Sequence, residues 1–102
     1  MINAYIAGIG MTKFGRFPDE SVKSLTSKAV SMALRDSAIS SERIQAAFFA
    51  NTVQGALEGQ LMVRGQIALR PLGLEGIPII NVENASASSA TALNLALNYI
   101  RA

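Results

Sequence analysis

Short apolar runs alternate with an amphipathic stretch along the chain, and this alternation predicts an α/β fold. The runs at 4–10, 46–51 and 77–83 are almost continuously apolar, which is typical of strands covered on both faces of a parallel sheet. From Ser21 onward, apolar residues recur every three or four positions, which predicts an amphipathic helix with Ser21 as its N-cap. The predicted order is strand, helix, strand, helix, strand, helix, in a largely parallel sheet.

The last predicted helix, Ser88 to Ile100, is apolar on nearly all sides. A helix of this kind must be buried nearly all round. Three strands and two other helices, one of them a short helix predicted from about Gln60 to Leu69 in the crossover at 52–76, hardly supply enough cover. The pattern therefore predicts that residues 1–102 are the first piece of a larger fold.

The composition of the chain argues against several classes of function. The chain has 102 residues, a net charge of +2, and no Cys or His, so a disulfide framework, thiol catalysis and a zinc site are not expected. Its nine basic residues are scattered, whereas a nucleic-acid surface needs them clustered. No signal peptide and no apolar segment of about 20 residues is present, so we expect no membrane span and a cytoplasmic location.

Two candidate constellations are weak. The turn "GIGMTKFG" has Lys13 where a dinucleotide fingerprint needs a third glycine, so it is interpreted as a glycine-rich turn. Glu75 and Glu83 both lie near the third predicted strand. Nothing in their spacing makes them converge, and acid/base catalysis needs geometry first. We expect separate solvated or N-capping carboxylates.

The segment "ENASASS" lies between a buried strand and the start of the last helix. Such a corner aims backbone N–H groups at one place, where they stabilise negative charge or activate a nucleophile. A serine nucleophile needs an adjacent base, and the chain has no His to serve as one. From the residues alone, Ser86 and Ser88 are interpreted as N-capping and close-packing residues.

Four segments together resemble the opening segment of the thiolase superfamily. In chain order they are "AYIAGIGMTKFGRF", "SVKSLTSKAVSMALRDSAIS", "VQGALEGQLMVRGQIAL" and "INVENASASSATAL". The last is most similar to the corner "VENACASGSSAL" of sterol-carrier-protein-type thiolases and acetyl-CoA acetyltransferases. The resemblance implies a thiolase-like αβαβα fold with a mixed sheet, of which residues 1–102 are a partial N-terminal domain.

The resemblance also implies an activity. Thiolases take acyl groups from coenzyme A thioesters onto a cysteine and then form or cleave a C–C bond by Claisen chemistry, with no bound cofactor. That cysteine position is occupied by Ser86 in this chain, and Arg64 falls on a crossover arginine that is interpreted as structural. Family members are usually dimers, so the resemblance implies a homo-oligomer, or association with the remaining half or another subunit.

The serine leaves two interpretations open. In the first, the complete protein is a thiolase-type acyltransferase in which Ser86, natural or introduced in place of cysteine, holds the nucleophile position. In the second, the protein is a catalytically silent thiolase-like subunit that binds acyl-CoA or lipid or scaffolds a partner.

Overall fold

The computed structural model describes residues 3–102 and confirms an α/β fold. Its helices are α1 (Val22–Ser37), α2 (Gln54–Glu58), α3 (Arg64–Leu69) and α4 (Ser88–Arg101), its strands are β1 (Ala47–Ala50) and β2 (Ile79–Val82), and short 3-10 turns lie at Ser41–Arg43 and Arg70–Leu72. The crossover helix predicted from about Gln60 to Leu69 is found as α3, which starts only at Arg64, and α2 is an additional helix before it. Gly59, with a left-handed φ of 74°, ends α2.

The two strands pair in parallel, as predicted. Ala47 lies opposite Ile79, and Ala50 opposite Val82. Parallel pairing places the carboxyl ends of both strands at one edge of the sheet. The residues that follow each strand therefore meet at this edge.

Helices cover the two faces of this sheet. On one face, Phe49 packs against Gly65 of α3. On the other face, the ring of Phe48 meets Tyr99 of α4 edge to face, with ring centroids 5.7 Å apart. Successive strand side chains point to opposite faces, so α3 and α4 lie on opposite sides of the sheet. α1 packs on α3 and forms an outer layer.

The predicted strand at 4–10 is wrong for this structure, because the segment lies along α1 and pairs with no strand. The backbone N–H of Ile9 donates to Asp36 Oδ2 of α1 at 2.9 Å. Gly8 packs so closely on the same helix that a Cβ there would lie 2.6 Å from the Ala33 carbonyl oxygen. Close packing of Gly8 and the hydrogen bond to Asp36 thus hold the segment 4–10 against α1, although its apolar pattern predicts a strand in the sheet.

As the sequence predicts, these residues do not supply enough cover for the last helix. Only Ser88 and Ala92 of α4 are buried within residues 3–102, and Leu93 is 66% exposed. One side of α4 packs on β1 and β2, while its other apolar side faces outward. Residues 3–102 therefore leave part of the apolar surface of α4 exposed.

The N-terminus of α1 forms as predicted, with a capping box added. Ser21 Oγ accepts the Ser24 N–H at 3.0 Å, and Ser24 Oγ accepts the Ser21 N–H at 2.8 Å. Glu20 does not sit in the first turn; its carboxylate accepts hydrogen bonds from Lys28 and from the Ser24 hydroxyl. These two bonds, Lys28 first, lower the pKa of Glu20 below its ordinary 4.5.

Replacing Gly65 by Ala is predicted to destabilise the fold by about 2 kcal/mol, because overpacking at a tight helix–sheet contact costs this much. The added Cβ would lie 2.7 Å from Phe49 Cβ and 2.9 Å from Asn81 Oδ1. Gly55→Ala in α2 is the matched control, since its Cβ would meet only the ends of the Leu61 and Arg64 side chains and a backbone oxygen at 3.7 Å. Urea unfolding measures both, and a Gly65→Ala protein as stable as the parent would refute the tight contact.

The Glu20 carboxyl is predicted to titrate with a pKa below 4.5 in an NMR pH titration of its side-chain carbon. Because the folded-state pKa is lowered, the stabilisation is present above the ordinary pKa and is lost as the pH falls through the folded-state value. Lys28→Met should raise the pKa back toward the ordinary value, whereas Lys23→Met on the same helix should leave it unchanged. An unshifted pKa in the Lys28→Met protein would contradict the assigned cause.

Candidate functional site

The corner that joins β2 to α4, residues 83–88, lies at the carboxyl edge of the sheet. β2 ends at Val82, and Thr52 follows the parallel neighbour β1 by two residues. The parallel register therefore brings Thr52 against the corner, where its Oγ1 lies 2.8 Å from the Ala85 carbonyl oxygen. We refer to residues 83–88 as the acyl corner, after the role that the resemblance to the thiolase superfamily implies for Ser86.

Ala85 has a left-handed backbone, with φ at 46°. A non-glycine residue pays about 1–2 kcal/mol for this conformation, so its surroundings must hold it there. Its N–H donates to Glu83 Oε2 at 2.7 Å. Its carbonyl accepts the Ser88 N–H at 3.2 Å and the Ser88 hydroxyl at 2.7 Å. Both polar groups of Ala85 are thus fixed directly before Ser86.

Ser88 is the centre of the corner's hydrogen bonds. It is only 5% exposed, and its Oγ accepts the Asn84 N–H at 2.8 Å while donating to the Ala85 carbonyl. Thr52 Oγ1 lies 3.0 Å from this Oγ. The single Thr52 hydroxyl hydrogen is therefore shared between Ser88 and Ala85. Sequence reasoning missed Thr52, since only the parallel register reveals its position.

No side chain caps the start of α4. The N-cap position is Ala87, and Ser88 Oγ is engaged with Asn84 instead of a helical N–H. Within residues 3–102, the backbone N–H groups of Ser89 and Ala90 donate no hydrogen bond. The predicted N-capping by Ser86 and Ser88 is thus wrong, although close packing of Ser88 is confirmed. Uncapped N–H groups at a helix start favour negative charge.

Ser86 stands between the strained Ala85 and the first turn of α4. Its side chain is exposed, and its hydroxyl forms no hydrogen bond within residues 3–102. Ser86 precedes the first residue of α4 by two positions, and its exposed side chain means that the predicted interior position is not found within residues 3–102. No base touches the hydroxyl among the described residues, and the catalytic role of Ser86 stays a prediction.

The other sequence candidates have separate partners, and of them only Glu83 belongs to the acyl corner. The Arg64 guanidinium donates to the carbonyl oxygens of Gln60 and Asn51, at 2.9 and 3.2 Å, which supports its interpretation as structural. Glu75 pairs with Arg70 on the surface, while Glu83 holds Ala85. The two carboxylates have separate partners, as the sequence predicts.

The described part of the chain offers neither a metal site nor a membrane-crossing helix. Residues 3–102 contain no cluster of Cys, Asp and Glu side chains arranged to ligate a metal ion. Over the same range, no helix has the length and apolar character required to cross a membrane.

Comparison with known proteins identifies the family. The profile of the thiolase N-terminal domain matches residues 4–102. The chain is 42% identical over 99 residues to non-specific lipid-transfer protein-like 2 of Caenorhabditis elegans, covering 94% of this chain and 23% of that protein. It is 40% identical over 98 residues to benzoylsuccinyl-CoA thiolase subunit BbsB of Thauera aromatica, covering 94% and 24%. It thus spans about a quarter of these relatives.

A solved structure supports the same fold. 3-Oxoacyl-[acyl-carrier-protein] synthase III from Aquifex aeolicus superposes with a TM-score of 0.71 at 19% identity, covering 81% of this chain and 26% of that one. The family match runs through β1, β2, the acyl corner and α4. The chain therefore belongs to the thiolase family and carries sequence of its N-terminal domain.

Proposed function

We propose that these residues form the N-terminal portion of a thiolase-type acyl-CoA acyltransferase, in which Ser86 holds the position of the acyl-accepting cysteine. The observation that carries the proposal is the uncapped start of α4 beside Ser86, where the Ser89 and Ala90 N–H groups are free within residues 3–102. These donors and the helix dipole favour negative charge at residue 86 or on a thioester oxygen placed there. A coenzyme A thioester is the proposed substrate.

The proposed chemistry is acyl transfer from a coenzyme A thioester. The nucleophile at position 86 attacks the thioester carbonyl carbon, the C–S bond to coenzyme A breaks, and the thiolate of coenzyme A leaves with its electron pair. A cysteine reaches this point as a thiolate, whose formation a helix N-terminus favours. The Ser86 hydroxyl must instead pass its proton to a base. Claisen C–C bond formation or thiolytic cleavage would follow from the acylated protein.

A second function is favoured by the open and unassisted hydroxyl of Ser86. Its contacts within residues 3–102 include no base, and the chain has no His. We therefore carry a catalytically silent thiolase-like subunit as the alternative, one that binds acyl-CoA or lipid or scaffolds a partner. The Caenorhabditis elegans relative is named as lipid-transfer protein-like and the Thauera aromatica relative as a thiolase subunit, which supports keeping this alternative. Oligomeric assembly and a cytoplasmic location stay predictions.

Ser86→Cys in the complete gene product that carries these residues is predicted to form an acyl-enzyme with acetyl-CoA, because the cysteine thiolate needs no base at the corner. Intact-protein mass spectrometry should show one added acetyl group. Ser40→Cys, at an exposed serine outside the acyl corner, is the matched control and should gain mass far more slowly. Equal labelling of the two introduced cysteines, or none at position 86, would contradict the proposed site.

The unmodified Ser86 protein separates the two functions. The acyltransferase predicts release of free coenzyme A from acetyl-CoA above the rate of a Ser86→Ala control. The silent subunit predicts acetyl-CoA binding in calorimetry with release no faster than in that control, because no base activates the hydroxyl. Turnover that depends on Ser86 would eliminate the silent subunit, and its absence together with binding would eliminate serine catalysis.

A further inference from the structure

The hydrogen bonds around Ala85 connect three separate parts of the fold. Thr52 comes from the end of β1, Glu83 from the end of β2, and Ser88 from the first turn of α4. All three contact the backbone of Ala85: Glu83 Oε2 at its N–H, and the two hydroxyls at its carbonyl oxygen. The peptide that precedes residue 86 is thus tied to both strands and to the helix.

This network compensates for a conformation that alanine disfavours. The left-handed φ of 46° at Ala85 is sterically unfavourable for a residue with a Cβ, and the two hydroxyl contacts offset its cost together with Glu83 and the Ser88 N–H. A rotation at Ala85 would change the direction of the Cα–Cβ bond of residue 86 relative to the start of α4. The effect of the Ser89 and Ala90 N–H groups on an atom at position 86 would change with it.

We propose that Ser88 and Thr52 are positioning residues that hold Ala85 left-handed and thereby aim the side chain of residue 86 at the uncapped start of α4. The inference deepens the proposed function, because it concerns the same corner. It rests on that function only in that acyl transfer would give the orientation of residue 86 a role. Its test needs no acyl-CoA, so its failure and the failure of the proposed function are distinguishable.

A single cysteine provides the probe, because the chain has no cysteine of its own. In the Ser86→Cys chain, the rate of iodoacetamide alkylation against pH gives the pKa of the thiol. Near the helix start this pKa should lie below the value of about 8.5 that an ordinary cysteine has. The same protein in guanidinium chloride supplies the unfolded reference. Glu83, the titratable group of the corner, is bonded to the Ala85 N–H, so Glu83→Gln in each variant measures its share of any shift in the thiol pKa.

Ser88→Ala in the Ser86→Cys background should return the alkylation profile toward the unfolded reference and reduce the thiolate fraction at neutral pH about tenfold. Asn94→Ala, further along α4, is the matched control, because this side chain is exposed and forms no hydrogen bond within residues 3–102. It should leave the profile unchanged. Circular dichroism verifies folding, since removal of a buried hydroxyl leaves the Asn84 N–H without its acceptor.

Thr52→Val decides the question if the Ser88→Ala protein does not fold, because Thr52 is exposed and valine keeps its shape. It should shift the profile in the same direction, by a smaller amount. Adding Ala85→Gly should then restore the profile of the Ser86→Cys chain, because glycine adopts a left-handed backbone without support. Because glycine also relieves the backbone strain at position 85, urea unfolding of each variant is needed to show that the profile does not simply follow the stability of the fold.

Three results would overturn the proposal. One is an alkylation profile in the folded Ser86→Cys chain that equals the unfolded reference. Another is an unchanged profile in folded Thr52→Val protein. The third is a Thr52→Val shift that persists in full after Ala85→Gly.

Discussion

The backbone of Ala85 is the constraint on which the acyl corner depends. Its carbonyl oxygen lies within hydrogen-bond distance of three donors, two on Ser88 and one on Thr52, and its N–H is held by Glu83. These partners converge because β1 and β2 are parallel and end at the same edge. The main contribution of the sheet is therefore to bring the end of β1 next to the start of α4.

The two faces of the sheet are covered unequally. Buried apolar side chains such as Ala68 and Leu69 lie on the α3 side, whereas on the other side α4 leaves much of its apolar surface exposed. The chain also covers only about a quarter of the relatives that it matches. An exposed Ser86 in these residues is thus compatible with an acyl site that is completed by other segments, which is the arrangement that the proposed function requires.

The sequence predicted the elements whose patterns are local. The amphipathic period of α1, its Ser21 cap and two of the three predicted strands depend on neighbouring residues and appear in the structure, although Val82 is the only residue of the two strands that is buried within residues 3–102. Prediction failed where distant contacts decide: the segment 4–10 is held by Asp36 and α1, and the role of Thr52 follows from strand register. The left-handed Ala85 also left no signal, because alanine carries no preference for that conformation.

The start of α4 affects a thiol and a hydroxyl at position 86 differently. A helix start lowers the pKa of a thiol, whose ordinary value of about 8.5 lies close to neutrality. A serine hydroxyl is far less acidic, so the same field cannot make it an alkoxide without a base. The field still acts on a thioester carbonyl oxygen as negative charge develops there. Under the proposed function, the helix start would therefore polarise a thioester bound at this corner, whereas attack by Ser86 would still need a base.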